Sequence, residues 1–205
     1  EQDDLEKMVG REDARKLWDI AEQSKDIVKS LITKHDIDCD WKPGILHADH
    51  RERFVSGTHE YAEKLRTEYG YDAIRAVDRD EIRNMLGSEF YHGGSLDMEA
   101  GHLHPLNFAL GLADAARAAG ANIYENATVA SYDNGEKVVV KTASGHRVTA
   151  DMMVLGCNGY LDGLEDRVAR RVMPINNFVI ATEPLGDDLA RELIRDDVAV
   201  ADSKF

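Results

Sequence analysis

The residues of this sequence best suited to ligand binding lie first around a pair of adjacent glycines. Tyr91 and His92 directly precede Gly93-Gly94. Glycines inside a strand mark either a bulge or a close approach by a ligand or another backbone. From the residues alone a bulge is favoured. Tyr91 and His92 could line a pocket, or each could be buried and satisfied by backbone hydrogen bonds.

A second glycine-rich stretch follows the apolar run 152–155 and consists of Gly156, Cys157, Asn158 and Gly159. A continuous apolar run is typical of a strand covered on both faces. Open α/β sheets bind ligands just beyond the carboxyl ends of such strands. The stretch therefore predicts either a ligand-binding turn or a tight strand-to-helix turn.

The histidines offer a weaker chemical signal. His47 and His50 flank Asp49 in HADHRER, residues 47–53, but no further cluster of metal ligands accompanies them. The sequence interpretation is a solvated loop, and no metal site is predicted. G-x-S-x-G and H-E-x-x-H are absent from the sequence, so no catalytic side chain is assigned.

Apolar periodicity predicts the helices that would position these stretches. Helical spacing covers residues 11–34 and 56–69, and Asp78 is the predicted cap of a further short helix. Pro105 suits the first turn of a helix over 105–119. Its predicted buried stripe is Leu106, Ala109, Leu110 and Ala113. A buried, unpaired carboxylate is costly, so Ala109→Asp is predicted to unfold the protein.

His104 immediately precedes that helix. It is predicted either to cap the helix or to contact a ligand, and the sequence favours neither interpretation.

Short strands are predicted between and after these helices. They cover 73–77, 90–96, 122–125, 129–133, 138–142, 147–149, 152–155 and 176–182. Turn signals at Asn134-Gly135 and Ser144-Gly145 predict an antiparallel meander. In a strand over 176–182, alternation separates Asn177, Val179 and Ala181 from Asn176, Phe178 and Ile180. Only one of these two sets can face a pocket, and the sequence alone does not distinguish them.

Composition limits the possible functions. The chain has 205 residues, 43% hydrophobic and 31% charged, with a net charge of −14, as in an ordinary globular protein. The negative charge argues against nucleic acid and anionic lipid as partners. It is compatible with a cationic substrate such as an amine, although a solvated acidic surface is the more common explanation of such a charge. Cys39 and Cys157 have no metal or redox spacing, and no apolar run is long enough to span a membrane, so a cytoplasmic location is expected.

Four segments in sequence carry a resemblance to a known family. They are EFYHGGSLDMEAGHLHP (89–105), ANIYENATVASY (121–132), VTADMMVLGCNGY (148–160) and RRVMPINNFVIATEPL (170–185). In this order and spacing they resemble the middle of a flavin-dependent amine oxidoreductase of the D-amino-acid oxidase family.

The resemblance implies an α/β (α+β) fold, in which part of an FAD-binding α/β domain is combined with a mixed-sheet substrate domain. Segments 1–40 and 105–160 would belong to the FAD domain and its junction, and segments 41–104 and 161–205 to the substrate domain. FAD is the implied cofactor. Val129 would hold its adenine, and the 156–159 turn would pass near its pyrophosphate or ribityl chain.

The resemblance also implies the substrate contacts, at Tyr91, His92, Gly94, Asn177 and Val179. Gly94→Val is accordingly predicted to reduce turnover more than stability.

The glycine-rich phosphate loop of such flavoproteins is absent, and the sequence begins with Glu1. We therefore expect an internal piece of a longer enzyme, lacking the amino-terminal dinucleotide-binding βαβ unit. On its own it is expected to bind FAD poorly and to self-associate through the apolar surface left uncovered.

The reaction implied by the resemblance is oxidation of a carbon–nitrogen bond with hydride transfer to FAD. The GHLHP and MPINNFVIATEPL segments resemble the γ-glutamylputrescine oxidase-like branch most, which implies a small-molecule primary amine as substrate and O₂ as electron acceptor. Glycine, sarcosine or D-amino-acid oxidation is the neighbouring alternative. A non-catalytic acidic binding domain is the alternative from another class.

Overall fold

The structure is a computed structural model that describes residues 2–173 and 175–203. It separates into two compact units. Unit 1 comprises residues 1–121 and 183–205, and unit 2 comprises residues 122–182. Unit 2 is thus inserted in the sequence of unit 1.

The helices are α1 (Gln2–Val9), α2 (Arg11–His35), α3 (Glu52–Tyr69), α4 (Arg79–Met85), α5 (Pro105–Ala118), α6 (Asp166–Ala169) and α7 (Asp187–Leu193). The strands are β1 (Lys42–Ala48), β2 (Ile74–Val77), β3 (Gly94–His102), β4 (Val129–Asn134), β5 (Val138–Thr142), β6 (Arg147–Ala150) and β7 (Ala199–Asp202). None of the helices in the described part of the chain has the length and apolarity needed to cross a membrane.

Unit 1 is built on a mixed sheet with strand order β2-β3-β1-β7. β3 runs antiparallel to both β1 and β2, whereas β1 and β7 are parallel. The register places Ala48 opposite Gly94 and Ile45 opposite Ala199. The predicted mixed α/β architecture is confirmed.

The two faces of β1 have different environments because side chains alternate along a strand. Leu46 and Ala48 are fully buried in the main core of unit 1. The other core members come from β2, β3, α4 and the segment around β7: Val77, Ile82, Met85, Leu86, Leu96 and Val198. The opposite face of β1 carries Ile45 and His47 and is turned toward α3.

A second core joins α3 to α2 and β2. It contains Ala62, Leu65, Tyr69, Tyr71 and Ile74, with Trp18 packed against it. The Trp18 ring centroid lies 5.1 Å from that of Tyr69 and 5.3 Å from that of Tyr71. The buried Gln2 amide donates to the Ala14 carbonyl and to the Tyr69 hydroxyl, which fastens α1 to this core.

Tyr71 provides a pH-dependent test of this core. Its hydroxyl donates to Asp97 Oδ1 at 2.7 Å and accepts from Lys25 Nζ at 2.7 Å. Burial, and then the Asp97 carboxylate, raise the pKa of Tyr71 well above its ordinary value. A raised folded-state pKa contributes stability that is complete below the unfolded pKa of about 10 and is lost as pH rises further.

We expect Tyr71→Phe to lower the free energy of unfolding at neutral pH by about 1–3 kcal/mol, because a charge-assisted hydrogen bond is lost. The fall in stability above about pH 10 should become shallower in the variant. Urea unfolding measured at neutral and alkaline pH checks this, with Tyr124→Phe, which alters an exposed ring, as the control. Parallel stability curves for wild type and Tyr71→Phe would contradict it.

Unit 2 contains the antiparallel meander β4-β5-β6, as predicted. Val138 is buried within it. The Tyr132 hydroxyl donates to Glu165, and this bond lowers the pKa of the Glu165 carboxyl. The 152–157 and 175–182 stretches have no regular secondary structure.

Several predicted elements are confirmed with shifted bounds. α2 and α5 match the predicted helices, and α3 begins four residues before the predicted 56–69 helix. Asp78 caps α4 by accepting from the Glu81 amide at 2.9 Å. His104 caps α5, accepting from the Asn107 amide at 3.3 Å. The predicted 90–96 strand begins only at Gly94 and continues to His102.

The strands predicted over 122–125, 152–155 and 176–182 are wrong for the described residues. An extended apolar segment forms a strand only where a neighbouring strand supplies hydrogen bonds. No described strand lies beside these segments, and Val154 and Val179 are each 90% exposed. The Asn177 and Val179 face predicted from alternation therefore has no sheet behind it.

The predicted buried stripe of α5 is also wrong. Leu106 and Leu110 are 60% and 55% exposed, and Ala109 is exposed. Another face of α5 packs on α2 and on Ile37, which follows α2, so that a Cβ at Gly111 would lie 2.4 Å from Ile37 Cγ2. Ala109→Asp is consequently not expected to unfold this chain.

Candidate functional site

A cleft of about 1120 Å³ lies in unit 1, between α3 and the sheet face that bears Ile45 and His47. The sheet contributes residues from all four of its strands and their ends. The helix contributes one wall, from Phe54 to Lys64. Because neighbouring strands project side chains from one face at the same level, groups distant in sequence meet here.

Asp49 forms the inner end of the cleft. Its amide donates to the Gly93 carbonyl at 2.8 Å, and its carbonyl accepts from the His92 amide at 2.9 Å, so the backbone continues the β1–β3 pairing. The side chain is 1% exposed, with Oδ1 3.6 Å from His47 Nε2. Oδ2 has no hydrogen-bond partner among the described residues.

This placement corrects the interpretation of HADHRER as a solvated loop. His47 is inside β1, Asp49 is buried at its end, and Glu52 already begins α3. The polar residues of this segment did not suggest a strand. In the structure, alternation along β1 places His47 and Asp49 on the cleft face and Leu46 and Ala48 in the core.

The carboxyl end of β7 supplies a second polar group to the cleft. Asp202 Oδ2 accepts from the Tyr91 hydroxyl at 3.0 Å. Ser203 Oγ lies 2.9 Å from His50 Nδ1 and accepts from the His50 amide at 3.2 Å. Burial, and then the Asp202 carboxylate, raise the pKa of Tyr91. Tyr91 is therefore a protonated hydrogen-bond donor at neutral pH, not a base.

The predicted substrate-contacting residues of the glycine pair lie close to these groups. Tyr91 packs against the main core and reaches Asp202. His92 is half-buried, and its Nδ1 has no partner among the described residues. Whether either side chain touches a substrate stays a prediction.

Gly94 shows the close approach of another backbone, which was one of the alternatives that the sequence left open. It lies inside the sheet, opposite Ala48 on β1 and Val77 on β2. A Cβ at this position would be 1.8 Å from the His47 carbonyl oxygen. The close neighbour is thus the backbone of the adjacent strand. The predicted bulge at the glycine pair is wrong, because Ala48 and Gly94 are in regular register.

Asn177 and Val179, the remaining predicted substrate contacts, belong to unit 2. Both are exposed in a stretch without regular structure. Pro174, within the same quoted segment, lies outside the described residues.

The predicted cofactor contacts are all in unit 2. Val129 begins β4 and pairs with Thr142. Cys157 precedes a 3₁₀ turn over Asn158–Tyr160, and Asn158 has a left-handed φ of 49°. A Cβ at Gly156 or Gly159 would meet nothing within 4 Å, so the described residues give no packing reason for either glycine.

Sequence reasoning missed Asp49 and Asp202 as members of one site. Each aspartate stands at the end of a short, mainly apolar segment, GILHAD or VAVAD, and an acidic residue in that position was the available signal. That β1 and β7 are neighbours, however, is not encoded locally.

The chain was compared with family models, and the model described as "FAD dependent oxidoreductase" matches residues 5–204. The chain belongs to this FAD-dependent oxidoreductase family. It is 37% identical to the probable oxidoreductase OrdL of Rhizobium meliloti, over 99% of this chain and 47% of that protein. It is 36% identical to the gamma-glutamylputrescine oxidoreductase of Escherichia coli, again over 99% of this chain and 47% of that protein. The chain thus spans about half the length of the curated relatives it matches.

Solved structures show the same fold at lower identity. Glycine oxidase from Geobacillus kaustophilus superimposes with a TM-score of 0.60 at 22% identity, covering 72% of this chain and 41% of that one. L-proline dehydrogenase from P. horikoshii gives 0.58 at 15% identity, with 73% and 41% covered. These identities establish the shared fold alone.

The 156–159 turn is compatible with the FAD of this family. Its side chains are small, its glycines face open space, and exposed backbone of this kind allows a phosphate or ribityl chain to approach. Val129, at the start of β4, presents an apolar side chain that is 37% exposed, which suits contact with an adenine ring.

We expect the 205-residue chain alone to purify without stoichiometric flavin. A G-x-G-x-x-G loop at a helix amino terminus normally holds the pyrophosphate, and the sequence contains none. The visible flavin absorbance after incubation with excess FAD and dialysis measures this. A one-to-one flavin content would refute the expectation.

Proposed function

We propose that this chain is part of a flavoenzyme that oxidises a primary amine, such as a γ-glutamylated polyamine, with O₂ as electron acceptor. The main support is the 36% identity to the gamma-glutamylputrescine oxidoreductase across 99% of the chain. When bound, FAD supplies the hydride acceptor for oxidation of the carbon–nitrogen bond. The residues of this chain have to bind and orient the substrate.

The charge of the unit 1 cleft supports a cationic substrate. Its described lining includes five carboxylates: Asp3, Asp49, Glu60, Asp97 and Asp202. Lys64 is the one lysine in that lining, and it is already paired with Asp3 and Glu6. A cleft lined by one sign of charge concentrates ligands of the opposite sign.

In this proposal His92, Gly94 and Tyr91, which donates to Asp202, are substrate contacts of unit 1. Asn177 and Val179 are proposed separately as substrate contacts of unit 2. Val129 and the turn of Gly156, Cys157, Asn158 and Gly159 contact FAD. We likewise propose that segments 1–40 and 105–160 form part of the FAD domain and its junction, and that segments 41–104 and 161–205 form part of the substrate domain.

Oxidation of glycine, sarcosine or a D-amino acid is the alternative reaction. Such substrates carry a carboxylate, which is usually paired with an arginine. Of the described residues that line the cleft, none is an arginine. The cleft charge therefore favours an amine without a nearby carboxylate at its reacting end.

The test is made on the complete enzyme that contains this chain. We expect it to be yellow and to consume O₂ and water with γ-glutamylputrescine or putrescine, forming an aldehyde, ammonia and H₂O₂. Turnover confined to glycine, sarcosine or D-amino acids would reject the proposed substrate and retain the family. Failure to bind flavin would reject both.

We also propose a cytoplasmic location for the enzyme. Both cysteines are free, Cys39 in the core of unit 1 and Cys157 in unit 2, as is usual for proteins of a reducing compartment.

A further inference from the structure

We propose that the Asp49 carboxylate anchors the ammonium group of a ligand in the unit 1 cleft. The inference deepens the proposed function by assigning one residue to recognition of the cationic substrate, and it rests on that function for the identity of the ligand. The ammonium held here is a charged group of the substrate that does not react, because the amine bonded to the carbon that gives up hydride must be neutral.

Asp49 differs from the other carboxylates of the cleft in its burial and its hydrogen bonds. Asp97 Oδ1 accepts from the Tyr71 hydroxyl and from the Glu99 amide. Asp202 accepts from Tyr91, and Asp3 is paired with Lys64. Asp49 Oδ2 is buried in the cleft wall without a partner among the described residues.

A buried carboxylate oxygen without a donor is costly, and the cost is relieved by a hydrogen-bond donor or a positive charge. His47 approaches only the other oxygen, at 3.6 Å. The ammonium of Lys64 is held by Asp3 at 2.6 Å and Glu6 at 2.9 Å. The described side chains thus supply no donor to the buried Oδ2, and Asp49 is among the residues that line the cleft.

A primary ammonium has the required chemistry. It carries three N–H donors and one positive charge. One donor satisfies Asp49 Oδ2, and the charge is stabilised by the surrounding carboxylates. A neutral ligand of the same shape gains neither advantage, which makes charge the property to vary in the test.

The test uses the 205-residue chain and simple probes, so that no flavin is needed. Binding of n-butylammonium is measured by calorimetry, with n-butanol as the neutral probe. The carboxyl ¹³C resonance of Asp49, assigned by comparison with Asp49→Asn, is followed during the same titration. We expect n-butylammonium, but not n-butanol, to bind and to shift this resonance.

Asp49→Asn should weaken n-butylammonium binding by about tenfold or more, since a hydrogen bond to a charged group is lost. Glu60→Gln is the matched control, because it removes the same charge from an exposed position on the cleft wall. It should weaken binding by less than about fivefold, as expected for a solvent-screened charge.

Equal weakening of n-butylammonium binding by the two substitutions would overturn the proposal. The binding would then be due to the summed negative charge of the cleft and not to Asp49. Absence of wild-type binding would also overturn the proposal. If Asp49→Asn does not fold, the titration of the wild-type chain tests the proposal, with the Asp49 resonance assigned by triple-resonance experiments. A resonance that does not shift on addition of n-butylammonium rejects Asp49 as the anchor.

The two proposals fail separately. Amine oxidation by the complete enzyme with no Asp49 effect on binding rejects the anchor alone. An intact Asp49-dependent interaction in an enzyme that oxidises no amine rejects the proposed function.

Discussion

Gly94→Val is expected to prevent unit 1 from folding cooperatively. A Cβ at residue 94 would lie 1.8 Å from the His47 carbonyl oxygen and 3.0 Å from its carbon. These are backbone atoms of β1, so relief requires separating β1 from β3 in the middle of the sheet. The loss should exceed about 4 kcal/mol, a large part of the stability of an ordinary domain.

Thermal unfolding followed by circular dichroism measures this loss. Gly156→Val is the matched control, because a Cβ there would meet nothing within 4 Å, and its midpoint should stay near that of wild type. The structure reverses the sequence-based expectation that Gly94→Val would affect turnover more than stability. A folded Gly94→Val enzyme with a normal midpoint and reduced turnover would restore that expectation.

The second large effect is expected for Leu46→Ala. Leu46 is fully buried at the centre of β1, between the paired strands β3 and β7. Removing its side chain leaves a cavity in a core that cannot fully collapse around it, which costs about 2–5 kcal/mol. Urea denaturation of the chain gives the value directly.

Leu110→Ala is the control for the same chemical change on α5. Its side chain is 55% exposed, and the substitution should change the free energy of unfolding by less than about 0.5 kcal/mol. A loss comparable to that of Leu46→Ala would mean that the α5 face is covered in solution. Repeating the measurement at two protein concentrations would then show whether self-association of the chain supplies the cover.

The sequence predicted those elements whose signals are local. α2 follows from helical spacing alone, and the caps at Asp78 and His104 follow from a side chain next to its own helix. The β4-β5-β6 meander follows from turn residues between short strands. In each case the deciding contacts lie within a few residues.

The predictions that failed depend on partners distant in sequence. The residue types of the 152–155 and 176–182 segments favour strands, but no described strand pairs with either segment. The α5 stripe is apolar and yet uncovered by any described element. At Asp49 the opposite error occurred: the polar residues of HADHRER suggested a loop, whereas Asp49 lies at the buried end of β1, between β3 and β7.

Glycine was an ambiguous signal for the site. Gly94 and Gly156 have similar sequence surroundings. A Cβ at Gly94 would collide with backbone atoms, whereas a Cβ at Gly156 would face open space. Only the positions of neighbouring strands separate the two cases, and no sequence pattern near either residue contains that information.

The parallel pairing of β1 with β7 has a consequence for the order of events during synthesis. Lys42, at the start of β1, forms an ion pair with Asp197, 155 positions later. All of unit 2 lies between them. A ribosome adding about 5–20 residues per second therefore completes unit 2 before β7 emerges. Until then one edge of β1 stays unpaired, and an unpaired strand edge is where nascent chains aggregate or recruit chaperones.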